Sequence, residues 1–152
     1  MTELAIAGLQ ASDAVSVGQL LAGDDPDYAR YFVAFDGGAP AIAAMIANAR
    51  RDRYWGIRSA GRLIGIVMLR GLDAGYATPA FGVYIAQSCA GAGLGRLALE
   101  FATTWCRLNG YPEIMLSVHP DHTAAVRLYE AAGFRPDGTF TPRGHGIYRK
   151  SL

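Results

Sequence analysis

Val83-Tyr84-Ile85-Ala86-Gln87-Ser88-Cys89-Ala90-Gly91-Ala92-Gly93-Leu94-Gly95-Arg96-Leu97 joins an apolar strand, a loop of small residues and the opening of an amphipathic helix. Glycines at positions 91, 93 and 95 strip side chains from the loop, so its backbone N–H groups can converge on an anion. The helix that follows adds unpaired N–H groups and a partial positive charge at its N-terminus. A ligand carrying phosphates is expected. Spacing sorts the phosphate loops. A dinucleotide fingerprint, Gly-x-Gly-x-x-Gly, would need glycine at Arg96 or at Ala98, and a Walker loop would need Gly-Lys-Ser/Thr where Gly95-Arg96-Leu97 stands. A glycine-rich turn without a ligand stays open on this stretch alone, as does another phosphate-ligand enzyme.

A second segment narrows the choice. Leu116-Ser117-Val118-His119-Pro120-Asp121-His122-Thr123-Ala124-Ala125-Val126-Arg127-Leu128-Tyr129-Glu130-Ala131-Ala132-Gly133-Phe134 reads as a strand, a Pro-Asp turn and a helix stopped by glycine. With these two segments in this order, the chain resembles the GNAT superfamily of acyl-CoA-dependent N-acyltransferases over about residues 55–150. In that family a Gln/Arg-x-x-Gly-x-Gly/Ala loop cradles the pyrophosphate of coenzyme A. A Leu-x-Val-x-x-x-Asn-x-x-Ala-x-x-Leu-Tyr-x-x-x-Gly-Phe segment follows. Gly93 and Gly95 match the first motif, and Leu116, Val118, Ala125, Leu128, Tyr129, Gly133 and Phe134 match the second. Ala90 replaces the family's Gln or Arg, removing one side-chain contact to phosphate, and His122 replaces its Asn.

The resemblance implies an α/β (α+β) fold: a mixed, mostly antiparallel sheet with a splayed central strand pair and flanking helices. It implies acetyl-CoA as cosubstrate and no metal. Val83, Tyr84 and Ile85 would lie beside the pantetheine arm, and Ala90, Gly91, Ala92, Gly93, Leu94, Gly95, Arg96 and His122 would hold the phosphate end. Acetyl transfer to an amine requires a deprotonated amine, a polarised carbonyl and a stabilised leaving thiolate. Tyr129 is the candidate acid, two helical turns beyond His122; its bland alternative is a core tyrosine. For the base, Tyr76–Ala86 contains no acid, which leaves His119, Asp73 or ordered water. A module that binds acyl-CoA without turnover is the competing function.

Length and composition fit one domain, residues 1–152, with 1–54 as acceptor-side helices and 55–152 as the CoA-binding core. Net charge is +1, which argues against nucleic acid as a partner. Residues 1–48 carry Glu3, Asp13, Asp24, Asp25, Asp27 and Asp36 against Arg30 alone, a balance suited to a cationic acceptor or simply to solvated helix faces. The expected partner is a small-molecule or peptide amine, and a homodimer is compatible. Cys89 and Cys106 give no disulfide framework, no Cys/His spacing marks a metal site, and no apolar run spans a bilayer. With no secretion signal at the N-terminus, a cytoplasmic location and no membrane partner are expected.

The pattern predicts strands at Leu4–Leu9, Arg53–Ser59, Arg62–Gly71, Tyr76–Ala86, Glu113–His119, Phe134–Phe140 and Gly144–Leu152. Helices are expected from Ser12 or Asp13 to Leu21, from Pro26 through the stripe Tyr28, Tyr31, Phe32 and Phe35, from Pro40 to Arg51, from Leu94 to Leu108, and from Asp121 to Ala132. The aromatic stripe, with Trp55, is a candidate wall for the acceptor. Arg50, Arg51 and Arg53 would offset the dipole of the third helix.

Overall fold

A computed structural model describes residues 2–32, 35 and 37–152. Strands β1 (Leu4–Gly8), β2 (Arg53–Ser59), β3 (Arg62–Arg70), β4 (Ala80–Ile85), β5 (Glu113–Val118), β6 (Arg135–Phe140) and β7 (Gly146–Ser151) form one sheet in the order β1-β2-β3-β4-β5-β7-β6. Every neighbouring pair is antiparallel except β4 with β5. The helices are α1 (Ala14–Ala22), α2 (Pro26–Ala29), α3 (Ala39–Asn48), α4 (Leu94–Leu108) and α5 (Thr123–Ala131). The mixed α/β class with a mostly antiparallel sheet is the expected one.

Helices cover both faces of the sheet. Ile66 and its cross-strand partner Tyr84 face α1 and α3, where Ala14, Val17 and Ile42 complete a small apolar cluster. The next pairs along, Val67 with Val83 and Leu69 with Phe81, face the larger core built with Ala98, Leu99, Ala102 and Cys106 of α4 and with Ala125 and Tyr129 of α5. Strand β3 is therefore apolar on both sides, which explains its unbroken run Leu63–Leu69, with Gly65 as the one position without a side chain. The β2–β3 hairpin turns on Ala60 (φ +50°) and Gly61 (φ +80°), a two-residue turn whose left-handed backbone matches strand twist.

The parallel pairing of β4 with β5 is short. It joins Ala80 to Met115 and Phe81 to Leu116, with the Met115 N–H donating to the Pro79 carbonyl at 3.0 Å. Beyond Phe81 the strands part, because β5 goes on to pair Ser117 and Val118 with Ile147 and Gly146 of β7 while β4 stays with β3. This is the splayed central pair.

Several boundaries differ from expectation. Strand β4 starts at Ala80 rather than Tyr76, because Tyr76 closes a turn onto the Gly71 carbonyl and Pro79 has no N–H to donate. Helix α2 is a single turn; its expected continuation falls partly on Val33, Ala34 and Asp36, outside the described residues. Helix α3 ends at Asn48, so Arg50, Arg51 and Arg53 do not sit in its last turn: Arg53 begins β2, and the N–H groups of Arg50 and Arg51 donate to Asp73. On α4 the buried stripe is Ala98, Leu99, Ala102, Thr103 and Cys106, whereas Leu97 and Leu108 face solvent. Small residues at 98 and 102 let the helix lie close to the sheet.

Gly65 tests how tightly the splay is packed. A Cβ there would stand 2.9 Å from Ile85 Cδ1, 3.0 Å from the Tyr84 carbonyl oxygen and 3.3 Å from Ile57 Cδ1. Gly65→Ala is expected to destabilise the fold by about 1–3 kcal/mol through overpacking, read as a lower denaturation midpoint at unchanged m-value.

Candidate active site

The loop after β4 passes through one short 3-10 turn, Gln87–Cys89, and then through Gly91 and Gly93, which adopt φ +81° and +89°. Left-handed backbone favours glycine at both places, and the space where a Cβ would stand is open within 4 Å. The first backbone bond after the loop runs from the Leu97 N–H to the Gly93 carbonyl. Among the described residues, the N–H groups of residues 91–96 therefore have no backbone acceptor, and they open onto the exposed end of α4. Such a row of free donors, at the positive end of a 15-residue helix, is a cradle for an anion. Ala90, Gly91 and Gly95 line a 510 Å³ cavity together with Val83, Tyr84 and Ile85 from β4 and His122, Ala125 and Leu128 from the start and face of α5. The cavity thus follows the gap that opens where β4 and β5 part. Arg96 points away from it and pairs with Glu100 at 3.7 Å.

A second cavity, of 650 Å³, includes Met68 and Gly82, neighbours across the β3–β4 pair whose side-chain direction is that of Ile66 and Tyr84, toward α1 and α3. Both cavities touch Tyr31, Phe32 and Val83. The chain after α2 therefore crosses the place where the two meet. It is anchored by Tyr28, whose hydroxyl donates to the Ile85 carbonyl at 2.7 Å, and by Asp24, which accepts from the Tyr84 hydroxyl at 2.6 Å and from the Gln87 N–H at 2.9 Å. Burial, followed by this bond to the Asp24 carboxylate, drives the Tyr84 phenol far above its ordinary value.

Four of the described N-terminal acids, Asp13, Asp24, Asp25 and Asp27, have partners of their own and line no part of the second cavity. Asp13 binds Arg58, Asp27 binds Arg30, and Asp25 accepts from the Gln87 amide. Asp52 is the only carboxylate in the wall of that cavity among the described residues, which also holds Arg70 and Arg149. Trp55 lies on the opposite face, edge-on to Phe101 and Trp105 of α4, and forms no part of this wall. Tyr31 and Phe32 do, while Phe35 packs on Phe32 and Tyr54.

Tyr129 lies in the core beneath the gap, 8% exposed, its ring 6.2 Å from Phe81 and 6.1 Å from Phe134. No side chain or carbonyl takes its hydroxyl proton, yet no fully buried polar side-chain atom lacks a partner among the described residues. The hydroxyl is therefore not completely sealed, although Tyr129 stands in the wall of neither cavity. Burial pushes this phenol up to about 12, so it stays protonated at any working pH.

All three histidines of the chain gather at the C-terminal end of β5. His119 and His122 stack on Tyr31 at 4.6 and 5.1 Å, and His119 meets His145 edge-on at 5.4 Å. His122 lines the first cavity, and burial, Arg30 and His119 together lower its pKa, so its ring is neutral near pH 7. The expected base His119 uses Nδ1 to accept the Asp121 N–H at 3.0 Å. The same nitrogen stands 3.9 Å from the Asp121 carboxylate, so it is already engaged within its own turn. Asp73 is equally committed: its carboxylate accepts from the N–H groups of Arg50, Arg51 and Asp52, which hold it below the usual carboxylate range. Cys89 is half-buried, with Ser88 as the one side-chain partner of its thiol among the described residues, and burial pushes the Cys106 thiol up to about 11. No cluster of three metal-ligating side chains occurs among the described residues, nor is any helix there long and apolar enough to cross a membrane. His145 carried no sequence signal, since it lies beyond the second motif in a Gly-His-Gly turn.

The chain belongs to the Acetyltransferase (GNAT) family, whose model matches residues 17–134. The chain is 30% identical over 80 residues to a mycothiol acetyltransferase of Jonesia denitrificans; the match covers 53% of this chain and about a quarter (26%) of that relative's length. Its fold is similar to that of a GNAT-family acetyltransferase from Streptococcus pneumoniae, with a TM-score of 0.74, 21% identity and 99% and 100% of the two chains covered. It is also similar to that of the PaiA N-acetyltransferase from Thermoplasma acidophilum, solved in complex with coenzyme A, with a TM-score of 0.78, 16% identity and 99% of each chain covered.

Asp73 supplies a test of the assignments. A carboxyl whose folded pKa lies below its unfolded value near 3.8 stabilises above that value and loses this contribution as pH falls through the folded pKa. Asp73→Asn should therefore lower Tm at pH 7, shrink the loss of Tm below about pH 3.8, and leave the pH dependence of turnover unchanged.

Proposed function

We propose that this protein moves an acetyl group from acetyl-CoA directly to a primary amine of a small molecule or peptide. The observation that carries the reading is the run of unpaired N–H groups at residues 91–96, at the head of the gap between β4 and β5. The pyrophosphate would take these donors, with Gly91 and Gly93 leaving room for it and Ala90 contributing backbone alone. His122 would contribute as a neutral hydrogen-bonding ring. The thioester supplies an activated carbonyl and a thiolate leaving group. Val83, at the meeting of the two cavities, is where the reacting ends of donor and acceptor would face each other.

Residues 55–152 would serve the donor, and the chain from α1 to α3 would close the acceptor side, with Tyr31 and Phe32 as its apolar wall. Tyr129 would be the acid. A phenol this weak holds its proton until negative charge has built on the sulfur, then stabilises or protonates it. A module that only senses acyl-CoA needs no proton donor there, so the effect of removing this hydroxyl on turnover separates the two readings.

Two outcomes are expected. Gly95→Asp should abolish acetyl-CoA binding by calorimetry, since it sets a carboxylate against the phosphates; wild-type affinity would remove the loop from the site. Tyr129→Phe should keep that affinity and lower kcat by about 10²–10⁴-fold, with thiol release assayed against a panel of amino acids, amino sugars, polyamines and peptides. Turnover within threefold of wild type would leave Tyr129 as packing.

A further inference from the structure

We infer that His145 is the group that takes the proton from the acceptor amine, from the wall of the cavity on the α1/α3 side of the sheet. The inference rests on the transferase reading and adds to it the missing base.

His145 is placed by a tight turn. The Thr141 N–H donates to its carbonyl at 2.8 Å, its own N–H donates to Thr141 Oγ1 at 3.2 Å, and the Gly144 N–H donates to the Thr141 carbonyl. Gly146, the next residue, pairs with Val118 and so fixes the turn to the end of β5. The residue is 8% exposed and its ring rests against the edge of His119, yet neither ring nitrogen has a hydrogen-bond partner among the described residues. Because every fully buried polar side-chain atom among the described residues is bonded, these nitrogens keep some access to solvent, and His145 lines the second cavity. That cavity reaches Ser117, Gly82 and Val83, the residues at which β4 and β5 part. His145 is thus the imidazole of the three with both nitrogens unspent and a place on the acceptor side.

Its surroundings favour the neutral ring. Burial, then His119 at the end of β5, then Arg143 in its own turn, lower its pKa from the ordinary 6.5. Tyr31 after α2, Asp52 before β2, Arg70 of β3 and Arg149 of β7 share the cavity. Arg149 is itself tied to Glu113 and Asp137, which blunts its field. A neutral imidazole at working pH has a lone pair to offer.

The step balances as follows. His145 takes one proton from the ammonium group, and the freed nitrogen pair forms the C–N bond to the acetyl carbon as the C–S bond breaks. Tyr129 gives its proton to the thiolate and recovers one, through solvent, from the new amide nitrogen. His145 then releases its proton to water.

The test uses the full chain, acetyl-CoA and the best acceptor of the amine panel. Wild-type kcat should fall with acid along a limb whose midpoint lies below 6.5. His145→Gln should lose about 10²-fold or more in kcat, keep acetyl-CoA affinity and lose that limb, and His145→Ala should regain rate with added imidazole. A His145→Gln enzyme within threefold of wild type with the same limb overturns the assignment and leaves the transferase reading standing. So does a limb that disappears in His119→Gln instead. If either His145 variant fails to fold, titration of the wild-type ring by NMR decides: a midpoint above 7 overturns the proposal, and one below 6.5 supports it. Should wild type acetylate no panel amine, the transferase reading falls and His145 falls with it.

Discussion

Two residue pairs, Ala80 with Met115 and Phe81 with Leu116, are the whole of the parallel contact between β4 and β5, and the rest of the molecule is arranged around where that contact stops. Each strand leaves it for a stronger antiparallel partner, β4 for β3 and β5 for β7. Parallel pairing is slightly weaker per residue, so a sheet with good antiparallel edges on both sides can open at this seam while its other ladders stay closed. The opening joins two cavities: one is lined by α2, the glycine loop and α5, the other by β3, β4 and β5, and Val83 belongs to both.

An open seam must be held open, and polar ties from the α1–α2 connection and α2 to the end of β4 do this. The Ile85 carbonyl takes the Tyr28 hydroxyl, and the Gln87 N–H and the Tyr84 hydroxyl both end on Asp24. Hydrogen bonds to a charged acceptor are stronger than neutral ones, so the link from Asp24 to the end of β4 is the firmest tie of the α1–α2 connection. Charges that look like a docking field in the sequence serve here as internal fasteners. The same holds for Asp73, whose three N–H bonds gather the chain between α3 and β2.

Much of the architecture was legible because periodicity and turn chemistry are local. The hairpin at Ala60-Gly61, the helix from Leu94 and the two closing strands fall within a residue or two of where spacing put them. The face of α4 was less legible. Leu97 and Leu108 share helical spacing with Phe101 and Trp105, but the buried row is the smaller Ala98, Ala102 and Cys106, selected by close approach to the sheet rather than by hydrophobicity. The aromatic stripe divided in the same way: Tyr28 and Phe35 became fasteners and packing, and Tyr31 and Phe32 became cavity wall.

The sequence by itself determined the anion cradle, because a loop of glycines ahead of a helix exposes N–H groups whatever surrounds it, and it determined the family through two motifs in fixed order. Only the tertiary structure decided what each histidine ring faces. The motifs separate His122 from His119 along the chain, but they say nothing of His145. The Asp121 N–H claims one of the three, the Tyr31 stack and the first cavity place another, and a tight turn against β5 leaves the third in the wall of the second cavity. Proton affinity and access depend on contacts made across the fold, and those contacts come from strands β5 and β7, which meet only when the sheet has closed.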